Sequence, residues 1–229
     1  MGADSVGAVA MSGLWPSVLT VRHEDGFDVV LRALRTRDRS DWDHVRVANE
    51  QWLRPWEATS PLPPAARSSF RQLVRHYDRE GREGRMQPFV IDVGGRIVGQ
   101  MHLFGIAWGG LRGGAAGYWV ARRLAGRGIA PLGLAALVDH AIYGLGLHRV
   151  EVNIRPENVA SLQVVRKLGF REEGLRQRYL HIGGDWRDHR SFALIAEDLA
   201  GTSLVERFRR AQSRGPSHGD ARPAPESTA

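Results

Sequence analysis

The sequence predicts a mixed α/β fold whose central sheet is mainly antiparallel. Strand-like and helical runs alternate along the 229 residues, which is typical of folds that contain both kinds of element. Gly94-Gly95 and Gly183-Gly184 each separate two strand-like runs, and such turns predict hairpins and therefore antiparallel pairs. Two strand–helix crossovers, at residues 115–154 and 148–182, follow one another directly.

The first half of the chain predicts one strand, two helices and a hairpin. Apolar β-branched residues predict a strand at 29–34, and a capping residue then starts a helix at about 36–49. Apolar residues at helical spacing predict a second helix at 70–77. The runs at 89–93 and 96–106 form the two strands of the hairpin.

The second half alternates strands and helices before a final hairpin. Residues 148–154 alternate apolar and polar side chains, as a half-buried strand does. Apolar residues at three- and four-residue steps after Pro131 predict a long helix to about residue 142. The remaining predicted elements are a strand ending at Val120, a helix at 158–168, a hairpin at 175–195 and an amphipathic helix at 197–211.

Composition divides the chain into one large domain and two tails. Residues 1–20 are small and mostly uncharged, and we expect them to form a flexible leader. Residues 21–200 contain the strand-like runs and are expected to form a single domain. Residues 201–229 are expected to form a C-terminal helix and then a disordered tail rich in Ser, Gly, Pro, Ala and Arg.

The charge balance indicates an anionic partner. The chain has 32 Lys and Arg residues against 25 Asp and Glu, a formal net charge of +7, and Lys167 is its single lysine. A phosphate-bearing cofactor, an acidic peptide or RNA would suit this surplus, although genome base content can produce the same arginine bias.

The residue types that are absent or widely spaced exclude several kinds of site. The absence of cysteine excludes disulfides, thiolate metal ligands and a cysteine nucleophile, and the histidines show no metal-ligand spacing. No apolar run is long enough for a membrane span and the N-terminus lacks a signal-peptide pattern. We therefore expect no metal, no membrane contact and a cytoplasmic location.

The stretch from Gly117 to Ala130 predicts an anion-binding turn between a strand and a helix. A strand that ends in Trp119 and Val120 passes through a basic, glycine-containing turn into the long helix. Glycines let backbone N–H groups converge, a helix N-terminus favours an anion, and Arg123 and Arg127 carry charge that suits phosphate. The spacing matches neither the P-loop nor the dinucleotide-binding fingerprint, and an ordinary turn with solvated arginines would contain the same residues.

A second motif follows the first about thirty residues later. Asn158-x-x-Ser161 is followed by Lys167-x-Gly169-Phe170. Together with Arg123-x-x-Gly126-x-Gly128, it resembles the signatures of the GCN5-related N-acetyltransferase (GNAT) superfamily. The Tyr179-Leu180 pair and the ending at 184–189 are similar to the RimJ/RimL branch, which acetylates the N-termini of ribosomal proteins. The resemblance covers about residues 28–200.

This resemblance implies a fold and a co-substrate. Such enzymes place helices on both faces of the sheet, and two neighbouring strands, here those containing residues 118 and 152, splay apart to hold acetyl-coenzyme A (acetyl-CoA). Trp119 and Val120 would offer strand edges to the pantetheine arm, and Asn158 would contact that arm while it also caps a helix. The residues implied in cofactor binding are Trp119, Val120, Arg123, Leu124, Ala125, Gly126, Arg127, Gly128, Ile129, Ala130, Asn158 and Ser161.

The implied mechanism is direct attack of a neutral amine on the thioester, which requires a proton acceptor and a group that stabilises the leaving thiolate. Many family members carry a tyrosine four residues after Ser161, but Val165 stands there in this chain, so Ser161 is the remaining hydroxyl. For the base, Asn153 occupies the position of a glutamate in a relative, and Glu151 lies two residues back on the same strand face. Asp188, His189 and a water shuttle are the alternatives.

The acceptor implied by the resemblance is a protein α-amino group, with a ribosomal protein as the first hypothesis. Trp52, Trp56 and Tyr179, together with the proline-rich link at 55–64, would line its site. A small-molecule amine, such as an antibiotic or a polyamine, is the alternative, and the positive charge argues against a polycation. A second alternative is an RNA- or ribosome-binding factor with a basic surface and vestigial acetyl transfer. We expect a monomer or a homodimer.

Overall fold

An eight-stranded sheet forms the centre of the computed structural model, which describes residues 15–62 and 68–213. Its strands are β1 (Val18–Arg22), β2 (Asp28–Ala33), β3 (Met86–Val93), β4 (Arg96–Ala107), β5 (Gly113–Val120), β6 (Arg149–Ile154), β7 (Arg171–Ile182) and β8 (Asp185–Ile195). Their order is β1-β2-β3-β4-β5-β6-β8-β7. Among these strands the β5–β6 pair is parallel and the other neighbouring pairs are antiparallel, which confirms the predicted sheet.

Helices cover both faces of the sheet, as the resemblance implied. They are α1 (Arg39–Ala48), α2 (Glu50–Leu53), α3 (Phe70–Arg82), α4 (Ile129–Asp139), α5 (Val159–Lys167), α6 (Ala196–Leu199) and α7 (Leu204–Ser213). Side chains alternate along each strand, so Val90 of β3 packs with α1 and α3, whereas Phe89 and Ile91 pack in the larger core with α4, α5 and α7.

A buried ion cluster joins β2, β3 and the turn before α1. Arg32 Nη1 lies 2.7 Å from Asp38 Oδ2, and Arg32 Nε lies 2.9 Å from Asp92 Oδ2. All three residues are buried, so each carboxylate compensates part of the cost of removing the guanidinium from water.

Helix α4 lies at the centre of the larger core. It is apolar on all sides and almost every residue in it is buried, as expected of a helix that contacts neighbours all round. Asp139 at its end accepts hydrogen bonds from Ser203 Oγ at 2.6 Å and from the Leu204 N–H at 2.7 Å. These bonds cap α7 and hold it against α4. None of the described helices is long and apolar enough to cross a membrane.

The structure corrects the predicted ends of the domain. Residues 1–14 and 214–229 lie outside the described residues, so most of the predicted leader and tail is not covered. Trp15, however, is buried, and β1 precedes the strand that was predicted to be first, so the leader prediction is wrong for residues 15–20. The helix predicted at 197–211 is two helices, because Ala200 and Gly201 have left-handed φ angles of 48° and 76° and end α6.

Strands β5 and β6 pair only at one end. Their register runs from Gly113 opposite Arg149 to Ala115 opposite Glu151. Beyond that point β5 stays paired with β4 as far as Val120, and β6 stays paired with β8. The two strands therefore separate where the splay was predicted.

Candidate active site

The gap between β5 and β6 leads into two cavities that share a wall. A cleft of about 440 Å³, here called the loop cleft, lies among α5, the start of α4 and the turn before it. A chamber of about 230 Å³, here called the hairpin chamber, lies between the separating strands and the β7–β8 hairpin. Trp56, Tyr118, Asn158 and Ser161 line both cavities, so these four residues mark their junction.

A tight turn connects β5 to α4 and forms one side of the loop cleft. In its first part the N–H groups of Leu124 and Ala125 donate to the carbonyl oxygens of Ala121 and Arg122 at 2.8 and 3.1 Å. In its second part Gly126 and Gly128 have φ angles of 78° and 79°, which residues with a Cβ rarely adopt. The predicted glycine turn is therefore a real backbone requirement.

The first amides of α4 have no helical partner. The N–H of Leu132 donates to Gly128 O at 3.1 Å, so the N–H groups of Ile129 and Ala130 precede the first hydrogen bond of the helix. The predicted residues of this turn and helix start that line the loop cleft are Leu124, Ala125, Gly126, Gly128, Ile129 and Ala130. The turn presents a helix N-terminus to the cleft, and this arrangement binds phosphate groups.

His23 supports this turn from the β1–β2 connection. Its Nε2 lies 2.7 Å from the carbonyl oxygen of Arg127, and its ring stacks on Phe27 with centroids 4.3 Å apart. A carbonyl only accepts hydrogen bonds, so Nε2 carries the proton. A Cβ at Gly128 would lie 3.0 Å from this nitrogen, so the position needs glycine for space as well as for φ.

The two predicted arginines do not line the loop cleft. Arg123 is exposed and lines neither cavity, and Arg127 is exposed and lies 3.8 Å from Asp25. Arg127 instead lines a neighbouring cavity of about 430 Å³ together with Gly126, Gly128 and Lys167. The cofactor-binding role implied for the two arginines stays a prediction. Lys167, quoted in the second motif but not predicted as a ligand, lines the cleft at the end of α5.

In β5, the backbone groups of Tyr118 and Val120 are the ones that point away from β4. The Ala121 N–H donates to Val98 O at 2.7 Å, and a Cβ at Gly99 would lie 2.2 Å from Trp119 O, so the Trp119 backbone faces β4. Pairing groups alternate along an antiparallel strand, so those of Tyr118 and Val120 face the gap. The predicted edge role of Trp119 is therefore wrong, while Val120 is placed as predicted.

Trp119 contributes its side chain instead. Its Nε1 donates to Gln100 Oε1 at 3.1 Å, and the Arg46 guanidinium lies over its ring at 5.4 Å. The residue lines the loop cleft from the side of the sheet that carries α1 and α3. Because the register depends on the partner strand, the local sequence did not distinguish Trp119 from Tyr118.

Tyr118 is the junction residue that sequence reasoning missed. Its hydroxyl is buried and has no hydrogen-bond partner among the described residues. Burial raises the pKa of Tyr118 well above its usual range, and the Ser161 hydroxyl, which lies close by but outside hydrogen-bond geometry, acts in the opposite direction. The residue stood within the quoted Gly117–Ala130 stretch, but a tyrosine in a strand is usually a core residue and gave no separate signal.

Asn158 and Ser161 occupy the first turn of α5. Asn158 Oδ1 accepts a hydrogen bond from the Ser161 N–H at 3.1 Å and so caps the helix. Both residues line both cavities, which is consistent with the roles predicted for them. Val165, at the position of the family's tyrosine, is fully buried in the core, so α5 supplies no second hydroxyl to the junction there.

The predicted bases on β6 are in different surroundings. Glu151 lines neither cavity, and its two carboxylate oxygens lie 2.9 Å from guanidinium nitrogens of Arg149 and Arg176. It lies where β5 and β6 are still paired, so its predicted catalytic role is not supported by its position. Asn153 lines the hairpin chamber and accepts a hydrogen bond from Ser191 Oγ at 2.7 Å.

The two alternative bases on β8, Asp188 and His189, also lie in different surroundings. Asp188 accepts a hydrogen bond from the Arg178 N–H at 2.7 Å and does not line the chamber. His189 is buried and lines it. Neighbouring residues on a strand point to opposite faces, which explains why one enters the cavity and the other does not.

Aromatic residues surround the chamber, partly as predicted. Trp56 and Tyr179 line it, with Arg155 over the Trp56 ring at 5.5 Å and Arg176 over the Tyr179 ring at 5.0 Å. Trp52 lies on the loop cleft instead, where its Nε1 donates to Val120 O at 3.3 Å. The described part of the 55–64 link reaches the β7–β8 hairpin, where the Thr59 N–H donates to His181 O at 2.8 Å.

Among the described residues there is no group of three or more His, Asp or Glu side chains that could hold a metal ion.

Comparisons with known proteins agree with this geometry. A family model described as an acetyltransferase (GNAT) domain matches residues 28–171, which is more than half of the chain. The structure of Mycobacterium smegmatis RimJ in complex with CoA-disulfide is similar, with a TM-score of 0.81 and 39% sequence identity over 87% of this chain and 96% of that one.

Curated relatives show the same likeness. The Escherichia coli [ribosomal protein uS5]-alanine N-acetyltransferase is 26% identical over 173 residues, which are 74% of this chain and 89% of that protein. The probable N-acetyltransferase YjcK of Bacillus subtilis is 35% identical over 103 residues, which are 45% of this chain and 57% of YjcK. The chain therefore belongs to the GNAT acetyltransferase domain family.

Proposed function

We propose that this protein transfers the acetyl group of acetyl-CoA to the α-amino group of a protein N-terminus, with a ribosomal protein as acceptor. The observation that carries the proposal is the meeting of the two cavities at Tyr118 and Ser161, where β5 and β6 separate. A donor in the loop cleft and an amine in the hairpin chamber would meet at this junction, and holding two reactants in line is a large part of such catalysis.

The loop cleft suits the donor. The amides from Gly126 to Ala130 would hold its diphosphate, and Lys167 would add positive charge beside it. The backbone groups of Tyr118 and Val120 that face the gap would pair with the amides of the pantetheine arm, which would share Val120 O with the Trp52 indole. The CoA-disulfide held by M. smegmatis RimJ supports the same co-substrate here.

The junction would supply hydrogen-bond donors for the reaction. The neutral amine attacks the thioester carbonyl carbon, and negative charge develops first on the carbonyl oxygen and then on the sulfur. The hydroxyls of Ser161 and Tyr118 would stabilise that charge. Because the pKa of Tyr118 is raised, its hydroxyl keeps its proton at neutral pH and acts as a donor.

The hairpin chamber would receive the acceptor terminus. Its volume of about 230 Å³ suits one terminal residue, and Trp56 and Tyr179 would contact the first residues of the peptide. The likeness to the E. coli [ribosomal protein uS5]-alanine N-acetyltransferase supports an N-terminal alanine of a ribosomal protein as the acceptor. Such an acceptor is made in the cytoplasm, which is the location we propose.

A turnover assay with a panel of acceptors tests this function. Release of the CoA thiol is measured with a peptide that begins with alanine, with the same peptide blocked at its N-terminus, with spermidine and with an aminoglycoside. We expect turnover with the free peptide and none with the blocked one. Faster turnover with either small amine would show that the acceptor is a small molecule and not a protein N-terminus.

A further inference from the structure

We propose that His189 is the group that takes the proton from the acceptor amine. This inference rests on the proposed function, because it assigns a residue to the proton transfer that the reaction requires. Three features of the structure support it: His189 lines the chamber, its Nδ1 is engaged in a hydrogen bond, and few other polar groups reach the chamber.

The ring of His189 is held in one tautomer. Its Nδ1 lies 3.0 Å from the carbonyl oxygen of Arg187, and because a carbonyl can only accept, Nδ1 carries the proton. In the neutral ring the lone pair is then on Nε2. The ring also contacts Tyr179 edge-on, with centroids 5.6 Å apart, so its orientation is fixed on two sides. A neutral, oriented imidazole in the chamber wall is a suitable proton acceptor.

Burial of the His189 ring favours its neutral form. Burial lowers the pKa of His189, and Arg155 beside the chamber lowers it further. Three groups act the other way: the hydrogen bond to Arg187 O and the carboxylates of Glu157 and Asp188 raise the pKa, but the net direction is downward. His189 is therefore unprotonated at neutral pH and ready to accept a proton.

No other described residue on the chamber wall offers a comparable base. Asn153 is an amide, the Arg155 guanidinium has hydrogen-bond donors but no acceptor, and the raised pKa of the Tyr118 phenol keeps its proton in place. The carboxylates of Glu151 and Asp188 do not line the chamber.

In the proposed step, His189 removes one of the two protons that the acceptor ammonium must lose. The acceptor ammonium gives one proton to Nε2 of His189, and the freed lone pair forms the C–N bond with the thioester carbonyl carbon. The C–S bond then breaks, and the second excess proton on nitrogen ends on the CoA sulfur. His189 returns its proton to solvent, so one acetyl-CoA and one ammonium yield an amide, a thiol and one proton.

The test compares wild type with His189→Gln across pH at saturating acceptor peptide. Glutamine is polar and of similar length but cannot accept the proton. The variant then depends on amine that has already lost its proton, and an α-amino group titrates at about 7.7–8.0. We expect the wild-type rate to exceed the variant's by about 10²-fold or more near about pH 6, and the ratio to fall by more than about tenfold towards about pH 9.

His181→Gln is the matched control. It lies on the same hairpin, hydrogen-bonds Thr59 at 2.7 Å and does not line the chamber, so its rate ratio to wild type should not change with pH. A loss in His189→Gln that is the same at every pH would overturn the proposal, since a purely structural role predicts that result. If wild type acetylates no peptide at all, the proposed function fails instead, so the two failures are distinguishable.

A measurement on wild type alone keeps the proposal falsifiable if the variant does not fold. Nitrogen-15 NMR of the labelled imidazoles reports the tautomer of each ring. We expect His189 to be neutral at neutral pH with its proton on Nδ1. A protonated ring, or a neutral ring with the proton on Nε2, would overturn the proposal.

Discussion

Gly128→Ala separates the phosphate-binding role of the β5–α4 turn from its effect on stability. Gly128 has a φ of 79°, and alanine in this left-handed region costs about 1–2 kcal/mol. Its Cβ would also lie 3.0 Å from His23 Nε2, so the turn or the histidine must move. Gly95→Ala is the matched control, because Gly95 has a φ of 78° and no atom within 4 Å of the added Cβ.

The expected loss of acetyl-CoA affinity follows from the hydrogen bonds that such a movement disturbs. A hydrogen bond to a charged group contributes about 1.5–3 kcal/mol, so losing one weakens binding by about 10-fold to 150-fold. In a thermal shift assay, donor at about 100 times its Kd stabilises the folded state by about 2.7 kcal/mol, and a tenfold weaker site gives about half of that.

Isothermal titration calorimetry of the three proteins checks this directly. Gly128→Ala should bind acetyl-CoA at least about tenfold more weakly than wild type, whereas Gly95→Ala should bind normally despite a similar loss of stability. Wild-type affinity in Gly128→Ala would refute the phosphate role of the turn. An equal loss in Gly95→Ala would show that general destabilisation, and not the turn, lowers affinity.

The remaining predictions concern one hydroxyl, one excluded base and one buried ion pair. Ser161→Ala should lower turnover more than donor affinity, because its backbone N–H still completes the helix cap; unchanged turnover would remove Ser161 from the mechanism. Glu151→Gln should leave turnover unchanged, since its carboxylate lies outside both cavities, and a large loss would restore it as the base. Asp38→Asn should destabilise the fold by about 1.5–3 kcal/mol in chemical denaturation, because Arg32 then keeps only Asp92 as a charged partner; a neutral result would contradict the buried cluster.

Features that depend on local backbone geometry were predictable from the sequence. The left-handed turn at Gly126 and Gly128, the helix N-terminus after it and the Asn158 cap each depend on a few neighbouring residues. Both hairpins were predicted because Gly-Gly turns between strand-like runs specify antiparallel pairing.

Features that depend on distant residues were not predictable. The pairing of β5 with β4 decides whether the backbone groups of Trp119 or those of Tyr118 face the gap. The Glu151 carboxylate is paired with Arg176, which comes from another strand. Strand β1 was missed although three of its five residues are apolar, because it lies at the edge of the sheet and none of its side chains is buried. The sequence offered His189 only as one of several alternative bases, because its position in the same chamber as Ser161 depends on how the β7–β8 hairpin packs.

The position of the acetyl group in the product tests the central claim most directly. The protein is incubated with acetyl-CoA and a peptide that begins with alanine and contains one internal lysine, and fragmentation mass spectrometry locates the modification. The proposed function predicts acetylation of the N-terminal nitrogen and an unmodified lysine. Acetylation of the lysine alone, or an unmodified peptide under conditions in which a small amine is acetylated, would contradict it.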